Sequence, residues 1–349
     1  MESRTLTGHL LTPMFSYGEN QKFPEFRATE LKGMMRYLYR IACPAKLSVL
    51  KQDEAELFGG STGDRKEQAG HASPVQLFLM QARQERFEAE SLLLHDEKRQ
   101  RSIFNCILQD EFKLRISMDK RISIQNELLS KIADIDWYKK EAALALLLCG
   151  MGKRSRKGRG RVMPDEYQQK DKAQALAWIC DGLNKIAKAT SEELKPEEKK
   201  YEIRDGTIYP YVQKKGRNSG NRDLKRPAIK KIVLGECLSE WKESASRSGG
   251  KKSLDVFLKA VDTECHYLRG KQKYEFLKDG QILKLSKAIG QIDGKERFAS
   301  SLIIGFIQTD EGIYPVYTFV KAFPNLKEEL DADCSLREQF IEMVEKYRI

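Results

Sequence analysis

A short glycine-rich segment, CGMGKRSRKGRGRVMP (residues 149–164), carries the strongest chemical signal in the sequence. It holds six lysines and arginines among four glycines, and the next acid is Asp165. Glycine lets main-chain N–H groups approach an anion that a side chain would block, and the cations neutralise its charge. The pattern predicts a loop that binds a polyanion such as RNA. The predicted contact residues are Gly152, Lys153, Arg154, Ser155, Arg156, Lys157 and Arg159.

A solvated linker or a nuclear-localisation signal would also explain a basic, pliable run. The segment follows KKEAALALLLCG, which predicts a buried helix, and does not lie in a tail. Its order of helix, loop and strand is the reverse of a nucleotide-binding P-loop. A polyanion-binding loop is therefore favoured. Because a surface loop holds little core, replacing Lys153, Arg154 and Arg156 with Ala is expected to weaken RNA binding without unfolding the protein.

A second basic cluster lies on the segment TELKGMMRYLYRIA, whose apolar residues have the spacing of an amphipathic helix. Lys32, Arg36 and Arg40 form one stripe along it, and Arg27 precedes it. The like charges repel, and Gly33 costs about 1 kcal/mol relative to Ala. A phosphate bound at the start of the helix, with a backbone passing over Gly33, would explain these penalties. A solvated basic face paired with acids elsewhere in the chain is the alternative.

Candidate catalytic and metal-binding groups are few. Asp134 with Asp136, and Asp331 with Asp333, are short acid pairs that could hold a metal, although helix caps and turns explain such pairs as well. His71 follows a Gly/Ser loop and could act as a general base. The seven cysteines include no Cys-x-x-Cys pair, and the four histidines are scattered. The sequence thus predicts no catalytic residue, no metal site and no cofactor.

Composition points to a soluble protein with an acidic partner. The chain has 349 residues and a formal charge of +11, with an isoelectric point near 9.1, which favours nucleic acid as that partner. No apolar run is long enough to cross a membrane, and the start lacks the layout of a signal peptide, so cytoplasmic residence is expected. The length predicts two domains, 1–164 and 165–349.

Strands are predicted both singly and in hairpins. The first residues, PVQLFLM and RVMP predict strands, whereas FKLRISMDKRISI predicts a hairpin and about 126–149 a long helix. After a helix in DKAQALAWICDGLNKIAKAT, a basic region is expected to make an auxiliary RNA contact through Lys214, Lys215, Arg217 and Arg222. The chain closes with a hairpin, SSLIIGFIQTDEGIYPVYTFVKAF, and an amphipathic helix. This mixture favours an α+β fold over a doubly wound parallel sheet.

The segments FPEFRATELKGMMRYLYR, AELFGGS and SPVQLFL resemble the RAMP superfamily of CRISPR-associated proteins. GMGKRSRKGRGRV is similar to the glycine-rich loop of that superfamily, and RFASSLIIGFI with YPVYTFV resembles its final hairpin. The likeness covers residues 1–80 and 140–163 well, 297–322 in part and 166–295 poorly. It is strongest to the end-capping RAMP subunit of type III-B (Cmr) effector complexes.

The resemblance implies tandem ferredoxin-like (RRM-like) RAMP domains. It further implies a non-catalytic subunit near the 3′ end of the CRISPR RNA, with guide RNA, target RNA and other RAMP subunits as partners. No aromatic-rich run lies on a predicted strand, so contacts to the RNA backbone are expected in place of base stacking. The alternative is a metal-independent RAMP endoribonuclease that matures CRISPR RNA. The basic helix and the glycine-rich loop contain no histidine, which favours the binding subunit.

Overall fold

Two antiparallel sheets with helices packed on them form the protein. The computed structural model describes residues 1–62, 69–80, 87–93, 103–108, 111–210, 226–238, 253–269, 279–290, 292–293, 296–297, 299–321 and 329–346. No helix within these ranges is long and apolar enough to span a membrane.

The first sheet has the strand order β4-β7-β1-β8, and every neighbouring pair is antiparallel. Its strands and the helices that connect them are β1 (Glu2–Leu10), α1 (Ala28–Ala42), β4 (Val75–Leu79), β7 (Glu111–Met118), α4 (Ile135–Leu148) and β8 (Val162–Pro164). In chain order these elements are βαββαβ, and the spatial order is that of a ferredoxin-like domain. The predicted fold is confirmed here.

Several short elements are inserted into this frame. They are α2 (Leu47–Phe58), the two-stranded sheets β2 (Gly60–Thr62) with β3 (Ala69–His71) and β5 (Phe87–Ser91) with β6 (Ile103–Ile107), and α3 (Glu127–Ile132). The segment FKLRISMDKRISI is not a hairpin. Only its first half is a strand, and that strand pairs with β4 and β1 on its two sides.

The second sheet has the order β14-β15-β11-β10-β9 and repeats the ferredoxin-like plan. Its strands are β9 (Tyr201–Arg204), β10 (Thr207–Pro210), β11 (Ile229–Leu234), β14 (Leu302–Thr309) and β15 (Gly312–Val320). The helices of this half are α5 (Lys172–Lys188), α6 (Ser253–Arg269), α7 (Asp279–Ala288) and α8 (Ser335–Glu345), and β12 (Ile292–Asp293) and β13 (Glu296–Arg297) form a separate two-stranded sheet. Here β14, β15 and β11 correspond to β4, β7 and β1. β10 takes the edge position of β8 although it precedes β11 in the chain.

Helix α4 lies at the centre of the molecule. Twelve of its fourteen residues are buried, and its packing partners include the first sheet, α1, α5 and β14. The apolar side chains around it form one continuous core that includes β11 and β15 of the second sheet. A second core lies on the other side of the second sheet, under α6, α7 and α8. The apolar composition of α4 follows from this position, since Asp136 and Lys139, near its start, are the two residues of the helix that are not buried.

The predicted helix over about 126–149 is two helices. The chain breaks at Ala133 and Asp134, and the Asp134 carboxylate accepts a hydrogen bond from the Trp137 N–H at 2.7 Å as the N-cap of α4. Apolar residues continue through the break, so the periodic pattern hides it.

Pro164 ends β8, the last strand of the first sheet in the chain. Helix α5 follows it and packs into the same core as α1 and α4. The division at residue 164 therefore stays a prediction. Lys214, Lys215, Arg217 and Arg222, the predicted auxiliary contact, lie outside the described residues.

Candidate nucleic-acid interface

The glycine-rich loop lies between the two sheets. The Arg156 carbonyl accepts a hydrogen bond from the Ile304 N–H at 3.1 Å, and Lys157 forms a parallel bridge with Ile304, so the loop adds to the β14 edge. On the other side the Lys153 N–H donates to the Phe15 carbonyl at 2.9 Å. The loop thus joins the two halves of the molecule.

Two of its glycines are required by close packing. Gly152 has φ +83°, and a β-carbon there would lie 2.7 Å from the Phe15 carbonyl carbon. Gly160 has φ +62°, and a β-carbon there would lie 1.8 Å from the Met151 oxygen. The protein's own backbone therefore leaves no room for a side chain at Gly152 or Gly160. The expected reason, room for an anion, does not apply at these two positions.

Two of the predicted contact arginines face a buried acid. The Arg159 Nη2 lies 2.9 Å from the Asp262 carboxylate, and Arg154 contacts the other oxygen of the same carboxylate. The Arg159 and Asp262 residues are each 2% exposed. The expectation of a surface loop is therefore wrong at Arg159, because its charge is neutralised inside the protein by α6.

Arg156 and Lys157 also turn towards the second half of the chain. The Arg156 Nη1 donates to the Ser300 carbonyl at 2.5 Å, and its guanidinium lies 4.7 Å from the Tyr37 ring centroid. The Lys157 ammonium lies 3.4 Å from the Ser300 hydroxyl and 5.4 Å from the Phe340 ring centroid. Burial lowers the pKa of Lys157. Both side chains are half-buried.

Arg161 is the most enclosed cation of the segment, at 0% exposure. Its guanidinium donates to the carbonyl oxygens of Ser155 at 2.6 Å and Leu147 at 3.4 Å, and to that of Ile304. Burial lowers its pKa to about 9. Ser155 is thus used through its carbonyl, as an acceptor within the loop.

Lys153 is the exposed cation of the loop. Its ammonium lies 4.6 Å from the Tyr17 ring centroid and 5.0 Å from that of Phe104. Next to it, the main-chain N–H groups of Ser155 and Arg156 make no hydrogen bond with the described residues. Lys153 and these two N–H groups are therefore the part of the loop that can meet an anion.

The start of α1 lies beside this part of the loop. The Glu30 carboxylate accepts hydrogen bonds from the Gly152 N–H at 2.7 Å and the Ser16 hydroxyl at 2.5 Å. Arg27 is the N-cap residue of α1, and its Nη1 donates to the Tyr17 carbonyl at 3.1 Å. Arg27 and Lys153 thus contact the same tyrosine.

The basic stripe of α1 has a counter-ion. Glu54 of α2 lies 2.6 Å from the Arg36 Nε and also contacts Arg40. Burial alone would raise the pKa of Glu54, but hydrogen bonds from the two arginines outweigh burial and lower it. Lys32 donates to the Ser73 hydroxyl at 2.5 Å, and burial lowers its pKa. The alternative explanation, pairing with acids elsewhere in the chain, thus holds for Arg36 and Arg40.

Gly33 is open. No atom of the described residues lies within 4 Å of the position that a β-carbon would occupy there. Its backbone is helical and exposed. A ligand could approach the helix closely at this point.

The acid pairs proposed as metal sites are structural. Asp134 caps α4, and Asp136 forms an ion pair with Arg4 at 2.9 Å. Asp333 accepts hydrogen bonds from Ser335 at the start of α8, as Asp331 does from residues in the first turn of that helix. The described residues contain no group of three or more His, Cys, Asp or Glu side chains placed to hold a metal.

His71, the candidate general base, lies at the end of β3 opposite Gly60 of β2. It is half-buried. Its strand partner Gly60 lies beside α1, since the Arg36 guanidinium is 3.5 Å from the position that a β-carbon on Gly60 would occupy. Ser73, two residues after His71, accepts a hydrogen bond from Lys32. His71 therefore lies near the basic stripe of α1, although neither α1 nor the glycine-rich loop contains it.

Sequence reasoning missed three acids that organise the site, namely Glu30, Glu54 and Asp262. Glu30 is in the first turn of α1, where an acid is explained by the helix dipole alone. Glu54 and Asp262 lie on helices distant in sequence from the arginines they neutralise. An acid on an apolar helix face is the signal that marks such residues, since burying it requires a partner.

The fold and the basic loop together define a domain class. Residues 8–162 match the family model described as the RAMP superfamily. This segment, which runs from β1 to β8 and is just under half of the chain, is similar to the RAMP superfamily. No curated protein matches the chain.

Solved structures share the fold over the full length. The apo crystal structure of Cmr1 from Pyrococcus furiosus has a TM-score of 0.50 and 16% identity, covering 99% of this chain and 97% of that one. A chain of Type III-B Cmr-beta bound to cognate target RNA has a TM-score of 0.52, 13% identity and 99% coverage of both chains. A Cmr-beta structure with target RNA and AMPPnP, determined in the presence of ssDNA, gives 0.50 and 13%, also with 99% of both chains.

Proposed function

We propose that the chain is a non-catalytic, RNA-binding subunit of a type III-B CRISPR effector ribonucleoprotein. It caps the end of the complex near the 3′ end of the CRISPR RNA, contacts guide or target RNA and other RAMP subunits, and acts in antiviral defence in the cytoplasm. The observation that carries this proposal is the fold, shared end to end with Cmr1 and with a chain of the RNA-bound Cmr-beta complex.

The phosphates of the RNA bind at the start of α1, next to Lys153 and the main-chain N–H groups of Ser155 and Arg156 in the glycine-rich loop. Lys153 supplies an exposed ammonium, Arg27 a second cation across Tyr17, and the helix start an uncapped N-terminus. The open backbone at Gly33 lets the RNA strand pass close to α1. Phosphate contacts position the strand without reading its sequence.

The other predicted cations have supporting roles. Arg36 and Arg40 share the charge of Glu54, so their pull on phosphate is reduced. Arg154, Arg156, Lys157 and Arg159 hold the loop in shape through contacts inside the chain. Arg27 also pairs with an acid, Glu25 at 3.5 Å, but both side chains of this pair are exposed, whereas Glu54 is buried, so a phosphate can replace Glu25 more easily. Lys153 and Arg27 are therefore expected to dominate the salt dependence of RNA binding.

Purification of the tagged protein from its host, followed by sequencing of the bound RNA, tests the assignment. CRISPR RNA and other RAMP subunits should copurify. The double variant Lys153→Ala, Arg27→Ala should lower the slope of log affinity against log salt by about 1.4 for single-stranded RNA. Lys120→Ala with Lys131→Ala, two exposed lysines elsewhere, is the matched control. Absence of CRISPR RNA from the purified protein would contradict the assignment.

The competing function is maturation of CRISPR RNA. Incubating the protein with repeat RNA in the absence of metal should leave that RNA intact. Cleavage that disappears in His71→Ala would instead identify an endoribonuclease.

A further inference from the structure

The face of the first sheet that points away from its helices is open. Leu6, Leu114 and Ile116 face the core at 0% exposure, and the residues between them face outwards. The register places Phe78 next to Arg115 and Arg115 next to Thr5. In the next row the Met80 N–H donates to the Lys113 carbonyl, and Lys113 lies opposite Thr7.

These six residues, called here the open face, combine apolar surface with positive charge. Phe78 and Met80 are each 41% exposed, which is high for large apolar side chains. The Arg115 guanidinium lies 5.1 Å from the Phe78 ring centroid. Lys113 and Arg115 are exposed, and in the part of the chain that the structure describes no carboxylate lies within 4.0 Å of either.

A similar pair on the second sheet lacks this free charge. The Arg204 guanidinium lies 4.8 Å from the Tyr209 ring centroid, but Glu202 forms an ion pair with Arg204 at 3.0 Å. Arg204 and Tyr209 therefore make the same kind of cation–π contact as Arg115 and Phe78, but Glu202 neutralises the charge of Arg204. This pair provides a matched comparison for the open face.

We propose that the open face binds unpaired RNA, with one base stacked on Phe78 beside Arg115 and flanking phosphates held by Lys113 and Arg115. The hydroxyls of Thr5 and Thr7 can hydrogen-bond to sugar or base. This inference rests on the proposed RNA-binding function and adds a second contact on the opposite side of the sheet from α1. Aromatic stacking with adjacent cations is the combination by which proteins hold single strands.

RNA fits the open face better than a protein partner does. The same side of the sheet also carries the exposed Glu111, two residues before Lys113 on β7, but the two cations Lys113 and Arg115 leave a net positive charge that phosphates complement. Duplex RNA does not fit, because its bases are stacked and cannot reach Phe78. The aromatic ring comes from the edge strand β4, and the central strands present Thr, Lys and Arg. This is why the sequence contains no aromatic-rich strand of the kind found in an RNA-recognition motif.

Fluorescence anisotropy of the full chain with a labelled oligouridine tests this proposal. Phe78→Ala should raise the Kd about fivefold or more with an unchanged salt slope, since stacking carries no charge. Arg115→Ala should lower the salt slope by about 0.7. Phe78→Tyr keeps the ring and should retain binding. Arg204→Ala is the matched control and should bind as the unmodified protein does.

The outcomes separate the two proposals. If the unmodified protein binds no RNA, the proposed function itself fails. If it binds RNA and both Phe78→Ala and Arg115→Ala bind equally well with unchanged slopes, only the open-face inference is overturned. Photocrosslinking of 4-thiouridine RNA to the β4 peptide would support it independently of any variant. Loss of a partner subunit from Arg115→Ala, with RNA binding unchanged, would assign the face to a protein.

Discussion

The most unusual single residue is Glu141, a carboxylic acid at the centre of α4. It is 0% exposed, and neither carboxyl oxygen has a hydrogen-bond partner among the residues that the structure describes. Burial, with a smaller contribution from the charge of Glu54, raises its pKa well above the ordinary value of 4.5. Burial therefore favours the neutral acid over the carboxylate in the folded state.

Replacing Glu141 with Leu should stabilise the protein, most strongly at high pH. The folded pKa is raised, so the unmodified protein loses stability as pH rises above about 4.5 towards the folded pKa. Glu141→Leu removes this loss together with an unsatisfied polar group. It should therefore raise the free energy of unfolding by about 1–3 kcal/mol. Urea unfolding at acidic and alkaline pH measures the difference. Glu127→Gln, at an exposed glutamate, is the control, and an equal gain at both pH values would contradict the linkage.

Arg159 should matter for folding more than for RNA. Arg159→Ala leaves the buried Asp262 with Arg154 as its remaining ionic contact in the loop, which should lower the free energy of unfolding by about 3 kcal/mol. The expectation that Lys153, Arg154 and Arg156 can be replaced without unfolding the protein therefore does not extend to Arg159. The control is Arg204→Ala, because the side chains of Arg204 and of its partner Glu202 are both exposed, 52% and 43%, so this ion pair should contribute little to stability. A stability unchanged by Arg159→Ala would return this residue to the RNA-contact set.

At the level of elements, the sequence predicts the helices and strands whose buried residues form a regular pattern within the element itself. The strands β1, β4 and β8, the helices α1 and α5, and the β14–β15 hairpin follow from apolar periodicity or run length alone. The break between α3 and α4 does not, because the apolar pattern continues through it. The Arg159 side chain points inwards because it pairs with Asp262, which lies 103 residues further along the chain. A local sequence pattern cannot reveal a contact between residues so far apart in the sequence.

Two glycines of the candidate site should respond in opposite ways to alanine. Gly152→Ala forces an L-residue into φ +83° and against the Phe15 carbonyl, which should cost about 2 kcal/mol or more. Gly33→Ala meets open space in a helix and should add about 0.5–1 kcal/mol of stability. Thermal and urea unfolding of both variants measure this contrast. Equal effects of the two substitutions would show that the loop does not need its tight turn.

At the scale of the whole molecule, the shared core ties the two halves together. The β-carbon position of Gly305 in β14 lies 2.7 Å from the Leu147 oxygen of α4, so sheet and helix are in close contact. Arg226, just before β11, donates to the Cys43 and Ala45 carbonyls beyond the end of α1. Residues beyond Pro164, on α5 and β14, therefore supply part of the packing around α4.

The fragment of residues 1–164 should therefore fail to fold cooperatively on its own. Without α5 and β14, apolar side chains on α4 that the full chain buries would face water. We expect the isolated fragment to show weak near-ultraviolet circular dichroism, and its α4 amides to exchange hydrogen faster than those of the full chain. Adding the fragment of residues 165–349 should restore both signals, which controls for damage to the first fragment. A cooperative unfolding transition of 1–164 alone would instead establish an independent domain that ends at Pro164.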